Sequence, residues 1–287
     1  STRKESSAAS DVYKRQGELK SDHVQVSVNK MWSDGTMFSY GSLLLEPFCS
    51  GDHGFGKMSF TPEHIEAQIE ATQRAGFDMH IHTDGDGSVR VILDAIERVH
   101  ARIGRGESRH TICHNTLVHP DDIPRFAELG VIANVTPLWG TDYSGAYIDI
   151  YNDLLGTERV ERESMPYGDL LRSGAVVTYG ADIPGVLIDE IAPLKQVEAA
   201  VTRQRPGFPN DRVFVERQRV TVEQALRAAT LNGAYQLRLE DKVGSLEVGK
   251  RADLVVLDRN LLEIDPHEIH STPVRMTLMD GRITFEA

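Results

Sequence analysis

Four side chains suited to metal binding or acid–base chemistry stand where predicted strands end: Lys30, His82, His114 and Asp182. Neutral imidazole and carboxylate groups are ligands for Zn²⁺ and similar divalent ions, and a carboxylate beside an activated water can move its proton. One histidine at one strand end is more often a structural residue. Four candidate ligands or bases on successive strand–helix units are expected to converge on one point, because the functional residues of parallel barrels lie at the carboxyl ends of the strands. The spacing therefore predicts one shared site.

The elements that must position these residues alternate between strand and helix patterns. Apolar and polar residues alternate along 23–32, which predicts a strand with Val24, Val26, Val28 and Lys30 on one face. Further strands are predicted at 77–82, 109–114, 131–135 and 175–179. Helices are predicted at 61–76, 89–103, 124–129 and 164–172, and after a capping box that begins at Thr221. This alternation predicts an α/β fold built on a parallel sheet.

The two ends of the chain differ from this central part. Short strands with turn signals are predicted at 242–250, 252–257, 274–278 and 283–285, so residues 241–287 are expected to form a small β unit and residues 23–240 the main domain. Residues 1–22 are polar and Ser-rich, which predicts a disordered tail. The run 7–16 also resembles translated adapter sequence, which would make it non-native.

Composition excludes several classes of protein. Hydrophobic residues make up 40% and charged residues 26% of 287 residues, which excludes a disordered or fibrous chain. No apolar run approaches 18 residues, so no membrane span is expected. The net charge of −12 argues against nucleic acid or an anionic membrane as a partner. Two cysteines are too few for a disulfide scaffold and favour a reducing compartment, so we expect a cytoplasmic protein.

Several of the predicted strand ends carry recognisable motifs. The segments are KMWSDG at 30–35, DMHIHTDGD at 78–86, RHTICH at 109–114, HPDDIPRF at 119–126 and GADIP at 180–184. Each resembles a strand-end motif of amidohydrolase family 3, within the amidohydrolase superfamily. The run GSLEVGKRADLVVLD at 244–258 resembles the carboxyl-terminal signature of these enzymes. The resemblance covers roughly residues 24–286.

The resemblance implies a metal-dependent hydrolase on a TIM-type (β/α)₈ barrel. His82 and His114 resemble the metal ligands after the fifth and sixth strands, and Asp182 resembles the aspartate after the eighth, which contacts the metal and shuttles the proton. Lys30 stands where a related lysine is carboxylated to bridge two metals. Asp182 and His114 are therefore the predicted catalytic residues. The implied cofactor is a divalent metal, Zn²⁺ above others, as one ion or two.

The pair His80 and His82 also resembles the HxH motif that such enzymes carry after their first strand. That assignment requires seven more barrel strands downstream, and the pattern provides three. We therefore expect a partial barrel of about strands four to eight with a small C-terminal β-sandwich portion, the amino-terminal part being missing. His80 is interpreted as an interior residue. The chain alone is expected to bind metal weakly and to show no turnover.

The substrate is expected to be a small molecule. The segment 137–163 is long for a connection and carries Trp139 and Tyr143, which we predict to contact substrate as a lid or wall, together with Asp86. The predicted reaction is hydrolysis of a C–N bond in an amide, formamide or cyclic imide. Two alternatives stay open: a catalytically inactive fragment or degenerate homologue that binds or scaffolds, and a metal-free barrel lyase or isomerase. A homo-oligomer is compatible with the sequence.

Overall fold

The computed structural model describes residues 25–183, 185 and 187–287. Five parallel strands form one sheet in chain order. They are β1 (Val28–Trp32), β2 (Asp78–Thr83), β3 (Thr111–His114), β4 (Ile132–Val135) and β5 (Val177–Tyr179). The five predicted strands and the α/β class are confirmed. The predicted tail, residues 1–22, and the first two residues of the predicted strand 23–32, including Val24, lie outside the described residues.

Helices connect the strands, as expected for strand–helix units. The α-helices are α1 (Pro62–Arg74), α2 (Asp86–Ile103), α3 (Ile123–Leu129), α4 (Tyr147–Leu155), α5 (Thr157–Glu163), α6 (Tyr167–Arg172), α7 (Pro193–Thr202), α8 (Val222–Ala229) and α9 (Leu231–Gln236). Short 3₁₀ turns occupy Met37–Ser39, Pro120–Asp122, Pro137–Gly140, Tyr143–Gly145, Glu216–Gln218 and Pro266–Ser271.

The helix ends show why these segments are helical. The Thr61 hydroxyl accepts a hydrogen bond from the His64 amide at the start of α1, and Thr221 forms the predicted capping box at the start of α8. The helix predicted from residue 164 begins only at Tyr167. Pro166 disfavours helical geometry at the residue before it, so the helix starts after the proline.

The main core lies between the sheet and the helices that follow its strands. Apolar side chains of β2 and β3 pack with those of α1 and α2, and several of them are fully buried: Met79, Ile81, Ile112, Ile65, Ile69, Ile92 and Ile96. The opposite face of β1 carries Val28, Lys30 and Trp32, which are exposed. Since strand residues alternate between faces, Lys30 of β1 and His82 of β2 share the face away from this core.

The C-terminal region forms a second, antiparallel sheet. Its strands, in the order β6-β7-β8, are β6 (Leu254–Leu257), β7 (Val274–Met279) and β8 (Arg282–Glu286). The strand predicted at 242–250 is wrong, because this segment forms turns in which Gly244 and Gly249 have φ values of 92° and 98°. Left-handed backbone of this kind interrupts a strand.

Residues beyond the predicted boundary near 240 also pack against the main domain. Leu261 and Ile269 share a small core with Val197 and Ala200 of α7. The division into 23–240 and 241–287 stays a prediction, as does closure of the parallel sheet into a barrel. Within the described ranges, none of the helices combines the length and apolar character that crossing a membrane requires.

Candidate active site

A cavity of about 440 Å³ lies at the carboxyl ends of the parallel strands. Its walls contain all four residues predicted as metal ligands or catalytic groups, together with the predicted substrate contact Trp139. The lining residues are Lys30, Trp32, Thr36, Phe38, His82, Asp84, His114, Thr116, Trp139, Tyr147, Tyr151, Asp182 and Gly185. The size suits a small organic molecule.

Two histidines lie side by side in this cavity. The ring centroids of His82 and His114 are 4.6 Å apart, and each ring stacks on a tryptophan, His82 on Trp32 at 5.0 Å and His114 on Trp139 at 5.3 Å. Burial lowers the pKa of His114 to about 3, with neighbouring His82 adding to the shift, and burial also lowers the pKa of His82. Both rings are therefore neutral, the state in which imidazole binds a metal ion.

The backbone bends sharply where the site residues emerge. His114 pairs with Thr83 in the β2–β3 register, so regular alternation would place its ring on the opposite face from His82. The strand instead ends at His114 with φ of 73°, followed by Asn115 at 52°. Asp182 also has a positive φ, 52°. Non-glycine residues held in the left-handed region cluster at functional sites, and here they aim two of the predicted residues into the cavity.

A buried aspartate that the sequence reasoning left without a role organises the floor of the site. Asp34, which follows β1, accepts hydrogen bonds from five groups: the amides of Leu43, Asp84 and Gly85 and the hydroxyls of Ser33 and Ser88. Its carboxylate also lies 3.7 Å from Nε2 of His82. Burial raises the pKa of Asp34 to about 7, and the Asp84 charge contributes. In the sequence, the signal that could have identified Asp34 is the Ser-Asp-Gly run directly after the first strand.

Lys30 points into the sheet face beside a cysteine. Its Nζ donates a hydrogen bond to Sγ of Cys113 over 2.8 Å. Burial raises the pKa of the Cys113 thiol to about 11, so the sulfur stays protonated at neutral pH. Cys113 itself is buried. Carboxylation of Lys30 stays a prediction.

Two predicted substrate contacts lie elsewhere. The Asp86 side chain is fully buried at the start of α2, where it pairs with Arg159 at 2.8 Å and accepts the Leu45 amide. The Tyr143 hydroxyl donates to Glu190 over 2.8 Å and lines a neighbouring cavity of about 380 Å³. Neither side chain lines the cavity that holds the histidines, and their contact with substrate stays a prediction.

The segment 137–163 forms one wall of the cavity through Trp139 and through two tyrosines that are not among the predicted substrate contacts. Tyr147 and Tyr151, four residues apart on α4, line the cavity with their rings 5.8 Å apart. Phe38 completes the group at 5.1 Å from Tyr147 and 5.6 Å from Tyr151. Tyr151 is part of the main core, so this wall is packed into the body of the domain.

The donor set suits a divalent metal ion in part. Two adjacent neutral imidazoles are suitable ligands, and Asp182 supplies a carboxylate in the same cavity. No group of three or more His, Cys, Asp or Glu side chains within 25–183, 185 and 187–287 is arranged to hold a metal ion. The described residues therefore contribute a pair of ligands rather than a full set.

Two known proteins are similar to this chain in sequence. A protein from Arabidopsis thaliana named LONG AFTER FAR-RED 3 is 30% identical over 250 residues, which is 87% of this chain and 41% of that protein. The N-substituted formamide deformylase of Arthrobacter pascens is 27% identical, over 80% of this chain and 41% of the enzyme. The chain thus spans less than half the length of these relatives.

A solved structure supports the same relationship. The crystal structure of an uncharacterized metal-dependent hydrolase from Pyrococcus furiosus superposes with a TM-score of 0.72 at 27% sequence identity, covering 88% of this chain and 50% of that one. The sequence model of the amidohydrolase family matches residues 3–285. Since that match takes in both sheets and every residue of the cavity, the chain belongs to the amidohydrolase family.

Proposed function

We propose that this chain supplies part of the active site of a metal-dependent amidohydrolase that cleaves a C–N bond of a small amide, formamide or cyclic imide with activated water. The observation that carries the proposal is the adjacent pair of neutral imidazoles, His82 and His114, in a cavity that also holds Asp182. Family membership supports hydrolysis, and the relative named as a formamide deformylase favours an amide-type bond.

His82 and His114 would hold the metal ion through ring nitrogens, with Asp182 as the nearby carboxylate. A divalent metal, when bound, supplies Lewis-acid activation of water and of the scissile carbonyl. Zn²⁺ is the ion we favour, because nitrogen and carboxylate ligands are its usual protein donors. Trp32 and Trp139 stack against the two rings, which fixes the ring planes and limits the access of bulk water.

Asp182 is the proposed proton carrier. Its carboxylate takes the proton from the attacking water and delivers it to the departing nitrogen, which would otherwise leave as an unstable anion. The Asp182 charge favours the protonated form of His82, which indicates that the two groups are close. Lys30, also in the cavity, is proposed to become a metal-bridging group only if it is carboxylated.

The partial ligand set leads to a specific expectation for this chain. With two imidazoles and one carboxylate in the described residues, we propose weak metal binding and no measurable turnover by the 287 residues alone. A non-catalytic binding role is the second candidate, favoured by the same incomplete set. The two free cysteines are compatible with a reducing compartment such as the cytoplasm.

Zinc titration by calorimetry tests the proposed ligands. We expect one binding event that His82→Gln or His114→Gln weakens more than about tenfold, since even the loss of an outer partner of a ligand costs about that much. His64→Gln, which changes an exposed histidine on α1, is the matched control and should leave binding unchanged. Equal zinc affinity for all four proteins would refute the assignment. Hydrolysis of an amide panel by the chain would refute the expectation of no turnover.

A further inference from the structure

The lining of the cavity includes a buried carboxylate, an unpartnered hydroxyl and three aromatic rings. We propose that these groups form a subsite for a protonated amine of the substrate, an alkyl- or arylammonium group held by Asp84 and Thr116 beside Phe38, Tyr147 and Tyr151. The proposal concerns which molecule binds. It rests on the proposed function only for the reaction that the bound molecule then undergoes.

Asp84 is the negative group of this subsite. The residue is 7% exposed, lines the cavity, and its Oδ2 atom accepts hydrogen bonds from the Met37 amide and the Ser42 hydroxyl. In the part of the chain that the structure describes, no lysine or arginine pairs with Asp84 and no group donates to its Oδ1. A desolvated carboxylate without a counter-ion is costly, and a cationic ligand in the cavity would offset that cost.

The one ammonium group among the lining residues does not neutralise Asp84. It belongs to Lys30, whose Nζ bonds to Cys113. Asp34 lies next to Asp84, whose backbone amide donates to it over 3.1 Å, and it brings no positive charge. A cationic ligand would therefore not compete with Lys30 for Asp84.

Thr116 provides an independent sign of a ligand. Its residue is 1% exposed and lines the cavity, and its Oγ1 has no hydrogen-bond partner among the described residues. The backbone next to Thr116 runs beside Asp84, because the amide of Leu117 donates to the Asp84 carbonyl over 3.1 Å. Buried hydroxyls normally have a partner. An ammonium group has three N–H donors, so it can bond to Asp84 and Thr116 together.

The aromatic wall suits the same cation. Phe38, Tyr147 and Tyr151 form one cluster of rings in the cavity, with centroids 5.1 to 5.8 Å apart. The Tyr147 ring and the Asp84 carboxylate line the same cavity, where burial raises the pKa of Tyr147 to about 12 and the Asp84 charge adds to the shift. Aromatic faces attract ammonium groups, and the remaining ring surface accommodates the apolar carbon atoms that carry the amine.

Three ligands of similar shape separate charge from shape. Calorimetry with the 287-residue chain at neutral pH compares benzylammonium, benzyl alcohol and benzoate, without metal and without any activity readout. We expect benzylammonium to bind at least about tenfold tighter than benzyl alcohol, the effect of one charge-assisted hydrogen bond, and benzoate to bind weakest. Asp84→Asn should remove the preference for the ammonium. Asp121→Asn, which neutralises a carboxylate on an 83% exposed side chain, is the matched control and should keep it.

The order of the three ligand affinities, measured on the wild-type chain, tests the proposal even if Asp84→Asn does not fold. Equal binding of benzylammonium and benzyl alcohol would overturn it, as would a preference that survives Asp84→Asn. Tighter binding of benzoate would also overturn it and would identify Lys30 as the anchor. Failure of the proposed hydrolase function is a separate result, since cation binding without metal does not depend on catalysis.

Discussion

Arg159→Met is expected to destabilise the domain strongly, because it removes the positive centre of a buried ion network. The Arg159 side chain is 5% exposed and pairs with Asp86 at 2.8 Å and Glu163 at 3.0 Å, both fully buried. Removing one partner of a buried pair costs about 3–5 kcal/mol, since the other charge is left without compensation. Methionine keeps most of the side-chain volume, so the change tests charge rather than packing.

The contacts that remain in the Arg159→Met variant place the expected loss of stability at the lower end of the range of about 3–5 kcal/mol. Glu163 keeps an ion pair with Arg162 at 2.7 Å. Asp86 keeps hydrogen bonds from the amides of Leu45 and Gly87, at 3.1 and 3.0 Å, but loses its counter-ion. We therefore expect the free energy of unfolding to fall by about 3 kcal/mol, which with a urea slope of about 3 kcal/mol/M shifts the midpoint by about 1 M.

The pH dependence of this loss identifies its cause. Burial already raises the pKa of Asp86 above its ordinary value of 3.8, while Arg159 lowers it. Without Arg159 the pKa of the folded state rises further, so the folded variant binds more protons than the unfolded chain between 3.8 and that raised value. The variant then loses stability as pH rises through this window, and its deficit relative to the wild type should shrink towards acid.

Urea unfolding monitored by circular dichroism at several pH values is the assay. Asp86→Asn in the Arg159→Met background should recover part of the loss, because the uncompensated charge is then absent. A loss below about 1 kcal/mol, as for an exposed ion pair, would refute the reasoning. A deficit that does not change with pH would show that Asp86 is not the group responsible.

Two further predictions concern residues away from the cavity. His110 is buried, accepts the Met79 amide and contacts Gln73, and burial lowers its pKa from 6.5 to about 3. Between pH 3 and pH 6.5 the unfolded chain therefore binds more protons than the folded chain. The free energy of unfolding should fall by about 2 kcal/mol as the pH drops to 5, and His110→Gln should flatten this pH dependence in urea unfolding. Gly85→Ala should cost about 1–3 kcal/mol in thermal or urea unfolding, because the added Cβ would lie 2.0 Å from the Leu43 carbonyl oxygen; an unchanged midpoint would contradict that contact.

Local patterns in the sequence predict the elements of this fold well. Three of these patterns depend on neighbouring residues only: the period-2 alternation before Trp32, the proline after Thr61 and the capping box at Thr221. The strand or helix that each of them predicts is present in the structure. The strand expected at 242–250 fails because two glycines there adopt left-handed backbone, and the apolar alternation between them does not reveal that choice.

Site residues are predictable where a strand end places them and less so where distant segments meet. His82 and His114 follow from their strands. The burial of Asp86 outside the cavity is not predictable from a local pattern, because its partner, Arg159, lies 73 residues away. The segment 137–163 carries several tyrosines, and only the packing of α4 decides that Tyr147 and Tyr151, rather than Tyr143, line the cavity.

The groups that line the cavity limit how a substrate can lie in it. The neutral imidazoles, Asp182 and Lys30, where bond cleavage is proposed, line the same cavity as Asp84 and the aromatic cluster. His82 and Asp84 are two residues apart at the end of β2, which corresponds to about 7 Å along an extended chain. A molecule that places an ammonium group on Asp84 therefore presents to the histidines an atom several bonds away. The aromatic wall between 137 and 163 would then contact the carbon atoms that join the two groups, so the same residues that close the cavity would also select for the length of the substrate.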